Sequence, residues 1–422
     1  MVCKKGEYLT DNKIPPANSW GVLNGVRVID LTQILAGPFC TAMLADQGAD
    51  VIKIEPTSGD LTRTFGPHTE KDEDQEYGGY FASVNRNKRG LALDLKNPQG
   101  KEIIFRLIEN ADVLVENFRA GVMDRLGLSY ETLHKKNPKL VYATVRGFGD
   151  PRTGKSPYVA WPAFDIVAQA MGGMMGITGS HQNDPTKVGP GVGDLIPAMM
   201  LAFGIVAALR HAERTGQGQF VDVAMLDGVL AACERIIYQH SVTGQTPVPE
   251  GNRHPLICPF GMVKTKDGWI TLAAQSAEEW RCLCELIGRT ELVHDQRFTD
   301  NKARIAHQDY VYEQIEAFTS QKTRKQLVAL FGGKIPFGPV YDINDILEDD
   351  HYRAREMIIS VDRPHSSGSY RIAGVPVRMT ETPGGIYRRA PLLGEHTDEI
   401  LRESGYDDDQ IEKLRKNGAI NQ

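Results

Sequence analysis

Apolar positions in the first third of the chain switch repeatedly between two spacings. Arg27–Leu31 (RVIDL) is a short β-branched run of strand type. After the loop Thr32–Pro38, a helix-like stretch, Phe39–Gln47, leads to a second such run, Asp50–Glu55 (DVIKIE). The alternation returns with a strand at Leu91–Leu95, a helix over Gly100–Asn110, a strand at Asp112–Glu116, helical pieces across Val122–Lys136 and a strand at Leu140–Val145. Strands alternating with helices predict a mostly parallel sheet covered on both faces. The loops Thr32–Pro38, Pro56–Arg63 and Asn117–Gly121 then lie at the carboxyl ends of strands and line one crevice. No G-x-G-x-x-G follows the first strand, so NAD or a flavin dinucleotide is not expected there.

Further along, Leu195–Arg214 is apolar through Leu209 and turns charged at Arg210, His211, Glu213 and Arg214, which predicts a buried helix. A turn at Gly216–Gly218, a strand at Phe220–Met225 and a helix over Asp227–Ser241 follow. From Thr243 the chain becomes a turn-rich connector. The hairpin Met262–Lys266 with Trp269–Ala274, turning at Asp267-Gly268, opens a second lobe. Hairpin-like segments, Met357–Val361 and Tyr370–Met379, and a charged helix, Glu399–Lys416, close the chain. A chain of 422 residues exceeds what one core usually supports, roughly 250–300 residues. The pattern divides it into a large doubly wound α/β domain over 1–226, a linker helix and connector over 227–250, a smaller α+β domain over 251–338, and a segment over 339–422 returning to the large domain.

Composition narrows the class. The chain is 41% hydrophobic and 24% charged, as in globular proteins, and no apolar run is read as long enough to cross a bilayer. Met1–Trp20 is polar and broken by Pro15 and Pro16, unlike a secretion signal, so a cytoplasmic location is expected. The cysteines at positions 3, 40, 233, 258, 282 and 284 form no CxxC pair, which predicts free thiols without zinc, other metal or disulfides. A net charge of −6 argues against a nucleic acid or a membrane as partner.

Among residues that could carry chemistry, Asp194 stands out. It ends the glycine-rich turn Gly189-Pro190-Gly191-Val192-Gly193 and precedes the apolar helix. Capping alone would place an aspartate there. A helix N-terminus would also keep a carboxylate ionised and oriented as a nucleophile, with Gly191 and Gly193 leaving room for a bulky thioester. Lys53, Arg63, Arg86, Lys88, Arg89, Arg119 and Arg125 supply cations near the crevice. Singly they read as solvated surface charges; together they could hold the phosphates of a nucleotide-like cofactor. Asn117 either turns the chain or donates to a base or amide. The histidines form no nucleophile elbow with Ser or Cys.

These stretches resemble the CaiB/BaiF family, the family III CoA-transferases. The resemblance runs from Gly21 to Ile420 and rests on GVRVIDLTQILAGP (Gly25–Pro38), GADVIKIEP (Gly48–Pro56), GDLTR (Gly59–Arg63), NRNKRGLALDLK (Asn85–Lys96), ADVLVENFRAGVMDRLG (Ala111–Gly127), GVGD (Gly191–Asp194), TGQGQFVDVAMLD (Thr215–Asp227) and APLLGEHTDEIL (Ala390–Leu401). It implies a Rossmann-like large domain, an interlocked homodimer, and a heteromer with a related subunit as the alternative assembly. It implies that Asp194 forms an aspartyl mixed anhydride and then an aspartyl-CoA thioester, moving coenzyme A between an acyl-CoA and a carboxylic acid. Contacts to CoA would fall on Leu35, Ala36, Leu93, Asp94, Leu95, Lys96, Asn117, Phe118, Arg119, Arg125, Phe164 and Asp165.

The 2-methylacyl-CoA racemases share the fold and are the rival reading. They pair the aspartate with the histidine of a Gly-His-Asp motif, where this chain has Ala163-Phe164-Asp165, and phenylalanine cannot carry a proton. Their glutamate falls near Ser276. Formyl-CoA transferases resemble the chain too, but have a glutamine near Leu35, a tyrosine at Phe164 and a tetraglycine loop where this chain reads Gly251-Asn252-Arg253-His254-Pro255. The charges of Arg253 and His254, with Gln33, suit an acyl pocket for a second carboxylate, and hence a dicarboxylate such as succinate, glutarate, citramalate or mesaconate; otherwise they belong to a connector loop facing water. A catalytically silent acyl-CoA-binding subunit is the third reading.

Overall fold

The computed structural model describes residues 20–68, 77–364 and 368–421, so Cys3 and most of the Met1–Trp20 stretch lie outside it. The chain divides into two compact units. The first comprises Met1–Met174, Val188–Glu234 and His351–Gln422; the second comprises Met175–Lys187 and Arg235–Asp350.

In the first unit, strands β1 (Arg27–Asp30), β2 (Asp50–Glu55), β3 (Arg89–Ala92), β4 (Val113–Glu116), β5 (Val141–Arg146) and β6 (Phe220–Ala224) form one sheet in the order β3-β2-β1-β4-β5-β6. Every pairing is parallel, with Ile29 facing Ile52 on one side and Leu114 on the other. Helices make the crossovers: α1 (Ala36–Asp46), α2 (Gly79–Val84), α3 (Pro98–Glu109), α4 (Val122–Leu126), α5 (Tyr130–Lys136), α6 (Asp165–Met171) and α7 (Val192–Thr215). The strands are nearly uniformly apolar because both faces are covered. Ile29, Ile52, Leu91 and Leu114 are fully buried, and the same core takes in Ile400, Leu401, Ile411 and Leu414 near the C-terminus. The strand order reverses at β1 and β4, so the loops leaving those strands splay apart and open a crevice.

Two helices expected to be continuous are broken. The stretch over 227–241 splits into α8 (Met225–Ala232) and α9 (Ile236–Thr243) around Glu234, whose φ is +22°. The second unit continues with β7 (Phe260–Thr265), β8 (Gly268–Ala273), α10 (Ala277–Leu286), α11 (Asn301–Ala306), α12 (Gln308–Thr319), α13 (Arg324–Phe331), β9 (Phe337–Pro339) and α14 (Ile343–Glu348). Its hairpin turns on Lys266-Asp267, one residue earlier than expected. Gly268 opens β8 opposite Thr265 and uses its freedom at φ +147°. The first unit resumes through α15 (Asp350–Ala354), the pair β10 (Ile358–Asp362) and β11 (Ser369–Ala373), and α16 (Thr397–Glu403) with α17 (Asp408–Lys416). Those last two were expected as one helix, and Gly405 at φ +84° separates them.

Helix α7 corrects two expectations. By length and composition it could cross a membrane, at a mean hydropathy of 2.0. It is not buried all round either. Leu201, Ile205 and Ala208 pack inward, while Met199, Phe203 and Val206 are exposed, Phe203 at 78%.

Most of the expected phosphate-binding cations are spent on folding. Lys53 and Lys88 are fully buried and pair with Asp60 and Asp30, Arg63 with Glu55, Arg86 with Asp46, and Arg89 with Asp50. Each faces a carboxylate from a neighbouring strand, helix or loop, because an unpaired charge at that depth would be far costlier than an exposed one. The Lys88 ammonium donates to Asp30, the Pro38 carbonyl and Asn85, all at 2.9 Å. Burial still pulls Lys88 down to about 8, while Asp30 opposes the fall. Replacing Lys88 with methionine strands the Asp30 carboxylate, and we expect a loss of about 3–5 kcal/mol. Denaturant unfolding measures it; a loss under about 1 kcal/mol, the level of a surface pair, would refute the assignment.

Candidate active site

The loop after β1 is pinned from three sides. Asn117, at the end of β4, accepts from the Gln33 amide at 2.8 Å and donates to the Gln33 carbonyl at 2.7 Å. Lys53 donates to the Thr32 carbonyl. The Asp60 carboxylate accepts from the Ile34 amide at 3.3 Å and from Lys53 at 3.1 Å. Between these anchors Ile34 adopts φ +70°, a conformation a β-branched residue takes only when its surroundings impose it. The result sets Leu35 against the turn before α7: a Cβ added to Gly191 would lie 3.1 Å from Leu35 Cδ2.

Asp194 lies in the first turn of α7, whose N-cap is Gly191. It is therefore not the cap, and no hydrogen bond from the described residues reaches its half-buried carboxylate. Gly193 is required for another reason than access: a Cβ there would meet the Asp165 carbonyl at 2.5 Å and the Ala168 Cβ at 3.0 Å, so helix α6 fills the space expected for a thioester. Around Gly189 the space is open.

The electrostatics differ from expectation as well. A helix N-terminus favours an ionised carboxylate. Here burial, and then the negative charge of Asp165, outweigh it and push Asp194 up to about 7. Tyr80, on α2, shares this environment: burial and the carboxylates of Asp194, Asp165 and Asp60 raise its phenol to about 12. Neither Tyr80 nor Gln169, which donates to Asp165 at 2.8 Å, carried a signal in the sequence beyond its polarity.

The other expected site residues fall into groups. Ala36 is buried at the start of α1, Leu93 is buried in the main core and bridged to Ile420, and Leu95 and Phe118 pack partly against that core. Asp94 accepts from the Lys96 amide at 2.9 Å, which shapes the turn leaving β3. Lys96, Arg119 and Arg125 are exposed, and no ion pair from the described residues engages them. Phe164 is 62% exposed as the N-cap of α6. Arg253 pairs with Asp309 and stacks 4.2 Å from the Tyr312 ring centroid, while the His254 ring lies 5.2 Å from Phe260. Those contacts are internal to the second unit. The five described cysteines are free thiols.

The sequence profile described as CoA-transferase family III matches residues 23–397. The chain belongs to that family. It is 47% identical to the succinyl-CoA:mesaconate CoA-transferase of Haloarcula hispanica over 91% of its own length and 97% of that protein's. It is 38% identical to the succinate–glutarate CoA-transferase of Agrobacterium fabrum, over 93% and 96%. Among solved structures, a CaiB/BaiF family protein from Brucella suis superposes with a TM-score of 0.80 at 34% identity, covering 91% of this chain and all of that one. A family III CoA-transferase acts on acyl-CoA and carboxylic acids.

A carboxyl raised from 3.8 to about 7 binds its proton more tightly folded than unfolded. Its favourable contribution is complete below pH 3.8 and lost as pH rises to about 7. Asp194→Asn should accordingly be more stable than the parent, by a margin that grows across that interval and levels off above it. Thermal unfolding of both proteins at several pH values checks this; a margin independent of pH would contradict the raised value.

Proposed function

We propose that this enzyme moves coenzyme A from succinyl-CoA to a second small dicarboxylate, with Asp194 as the covalent carrier. The observation that carries the reading is the Asp194 carboxylate itself: half-buried, held by no hydrogen bond from the described residues, and seated in the first turn of α7. Poor hydration makes a carboxylate a better nucleophile, and the amides of that turn favour negative charge on an attacking or leaving oxygen.

The balanced sequence has two halves. The Asp194 carboxylate attacks the succinyl thioester, and the C–S bond breaks to give an aspartyl mixed anhydride and CoA thiolate. The thiolate attacks the aspartyl carbonyl, releasing succinate and leaving an aspartyl-CoA thioester. The acceptor carboxylate attacks that thioester, and the expelled thiolate takes the acceptor's acyl carbon, regenerating the Asp194 carboxylate. No net proton or electron is exchanged.

Lys96, Arg119 and Arg125 are the cations proposed to meet CoA phosphates, with Gln33, Leu35, Ala36, Asp94, Asn117 and Phe164 around the crevice. Asn117 acts through its grip on Gln33, since both ends of its amide are engaged. The dicarboxylate preference is supported by the activities for which the two relatives are named. Arg253 and His254 remain proposed acyl-pocket residues, Arg253 already balanced by Asp309. The Rossmann-like character of the sheet is supported by its β3-β2-β1-β4-β5-β6 order. The exposed face of α7 supports a homodimer, interlocked as the family resemblance implies. Racemisation is disfavoured because Phe164 supplies no base.

Incubation of the purified enzyme with succinyl-CoA and a panel of mono- and dicarboxylic acids, followed by mass analysis of new CoA esters, tests the reading. Dicarboxylates such as mesaconate should be esterified with kcat/KM at least about tenfold above monocarboxylates, since a monocarboxylate leaves the pocket's polar groups unpaired. Asp194→Ala should lower kcat by about a thousandfold or more while unfolding at or above the parent temperature. Exchange of an α-proton of a branched acyl-CoA without CoA transfer would overturn the reading.

A further inference from the structure

The turn before Asp194 is held by two side chains that no step above uses. Asp165, the first residue of α6, accepts from the Gly193 amide at 2.8 Å. Gln169, one helical turn later and fully buried, donates to both oxygens of Asp165, at 2.8 and 3.0 Å. Its own carbonyl oxygen accepts from the Val188 amide at 2.9 Å, and its amide nitrogen reaches the Pro190 carbonyl at 3.5 Å. The pair therefore grips the turn at Val188, Pro190 and Gly193, the last adjoining Asp194. Val188 is also where the chain returns to the first unit after Met175–Lys187.

A carboxylate is a costly choice for this duty. An asparagine or serine at 165 could accept from the Gly193 amide without setting a like charge beside the nucleophile. Other charged groups on elements that pack against α7 are elsewhere engaged: Asp46 on α1 with Arg86, Arg146 on β5 with Glu116 and Asp150, and Asp222 on β6 with Thr153. Asp227 lies on α8, and the Tyr80 phenol approaches from α2. Of these, Asp165 is the charge felt at Asp194.

We propose that Asp165 and Gln169 form a clamp that positions the Asp194 turn and sets the Asp165 carboxylate beside it, both serving as positioning residues for CoA transfer. A more basic carboxylate is a stronger nucleophile toward the thioester. The clamp fixes direction and the charge sets reactivity, and the two contributions separate by substitution. This rests on Asp194 as the nucleophile.

Asp165→Asn keeps an oxygen for the Gly193 amide and removes the charge; Gln169→Leu keeps the charge and loosens the turn. In the full-length enzyme, an isotope-edited infrared titration of aspartate carboxyls, with Asp194→Asn to assign the band, reads the midpoint of Asp194 without needing activity. Asp165→Asn should shift that midpoint down by at least one pH unit, and carry the acid limb of kcat/KM with it. Gln169→Leu should leave the midpoint in place, and lower kcat by about a hundredfold with the KM for acyl-CoA within threefold. Asp165→Glu should restore the high midpoint. Should Asp165→Asn fold and leave the midpoint unmoved, the charge role is overturned; should Gln169→Leu raise KM and spare kcat, so is the clamp. A shifted midpoint in a protein that transfers no CoA would instead refute the function and leave the clamp standing.

Discussion

Everything at this site depends on keeping one carboxylate poorly hydrated and unbonded while every other buried carboxylate nearby is paired. Asp30, Asp46, Asp50, Glu55 and Asp60 each face a lysine or arginine, and Asp165 is tied to Gln169 and the Gly193 amide. Burial by itself would raise Asp30 and Asp60, but Lys88 and Lys53 hold both below their ordinary values. Asp194 meets the like charge of Asp165 and receives no hydrogen bond from the described residues, and it moves up instead. A carboxylate that an arginine satisfied would be stable and inert.

The paired charges do more than fold the chain. Lys53 and Asp60 hold the loop after β1 from below while Asn117 grips it from β4. Together these contacts impose a left-handed Ile34 and set Leu35 against Gly191. The sheet reversal at β1 and β4 opens the crevice, and the buried ion pairs decide where its wall stands. Electrostatic cost in the core is thus converted into position at the rim.

The sheet was legible in the sequence because its strands are short β-branched runs that must be apolar on both sides, and those runs matched to within one or two residues at most ends. Helix breaks at Glu234 and Gly405 were not, because a single residue of positive φ leaves the surrounding helical pattern intact. Asp194 stood out through its glycines, yet their purpose was misjudged. Helix α6, distant in sequence, fills the space at Gly193. Lys53, Arg63, Arg86, Lys88 and Arg89 were expected to hold phosphates because sequence carries no burial for a residue whose partner lies on another element. Tyr80 and Gln169 gave no periodic or motif signal at all. The preferred acid is written in the side chains of a pocket, and here it comes from kinship and charge.

The central claim is that an oxygen of Asp194 takes part in the covalent chemistry. Turnover with succinyl-CoA and an acceptor acid carrying heavy oxygen in its carboxylate, followed by mass analysis of the proteolytic peptide containing Asp194, tests it most directly. The mixed anhydride shares its bridging oxygen between acid and enzyme, so the account predicts heavy oxygen appearing in the Asp194 side chain. CoA transfer that proceeds while this peptide stays unlabelled would contradict it.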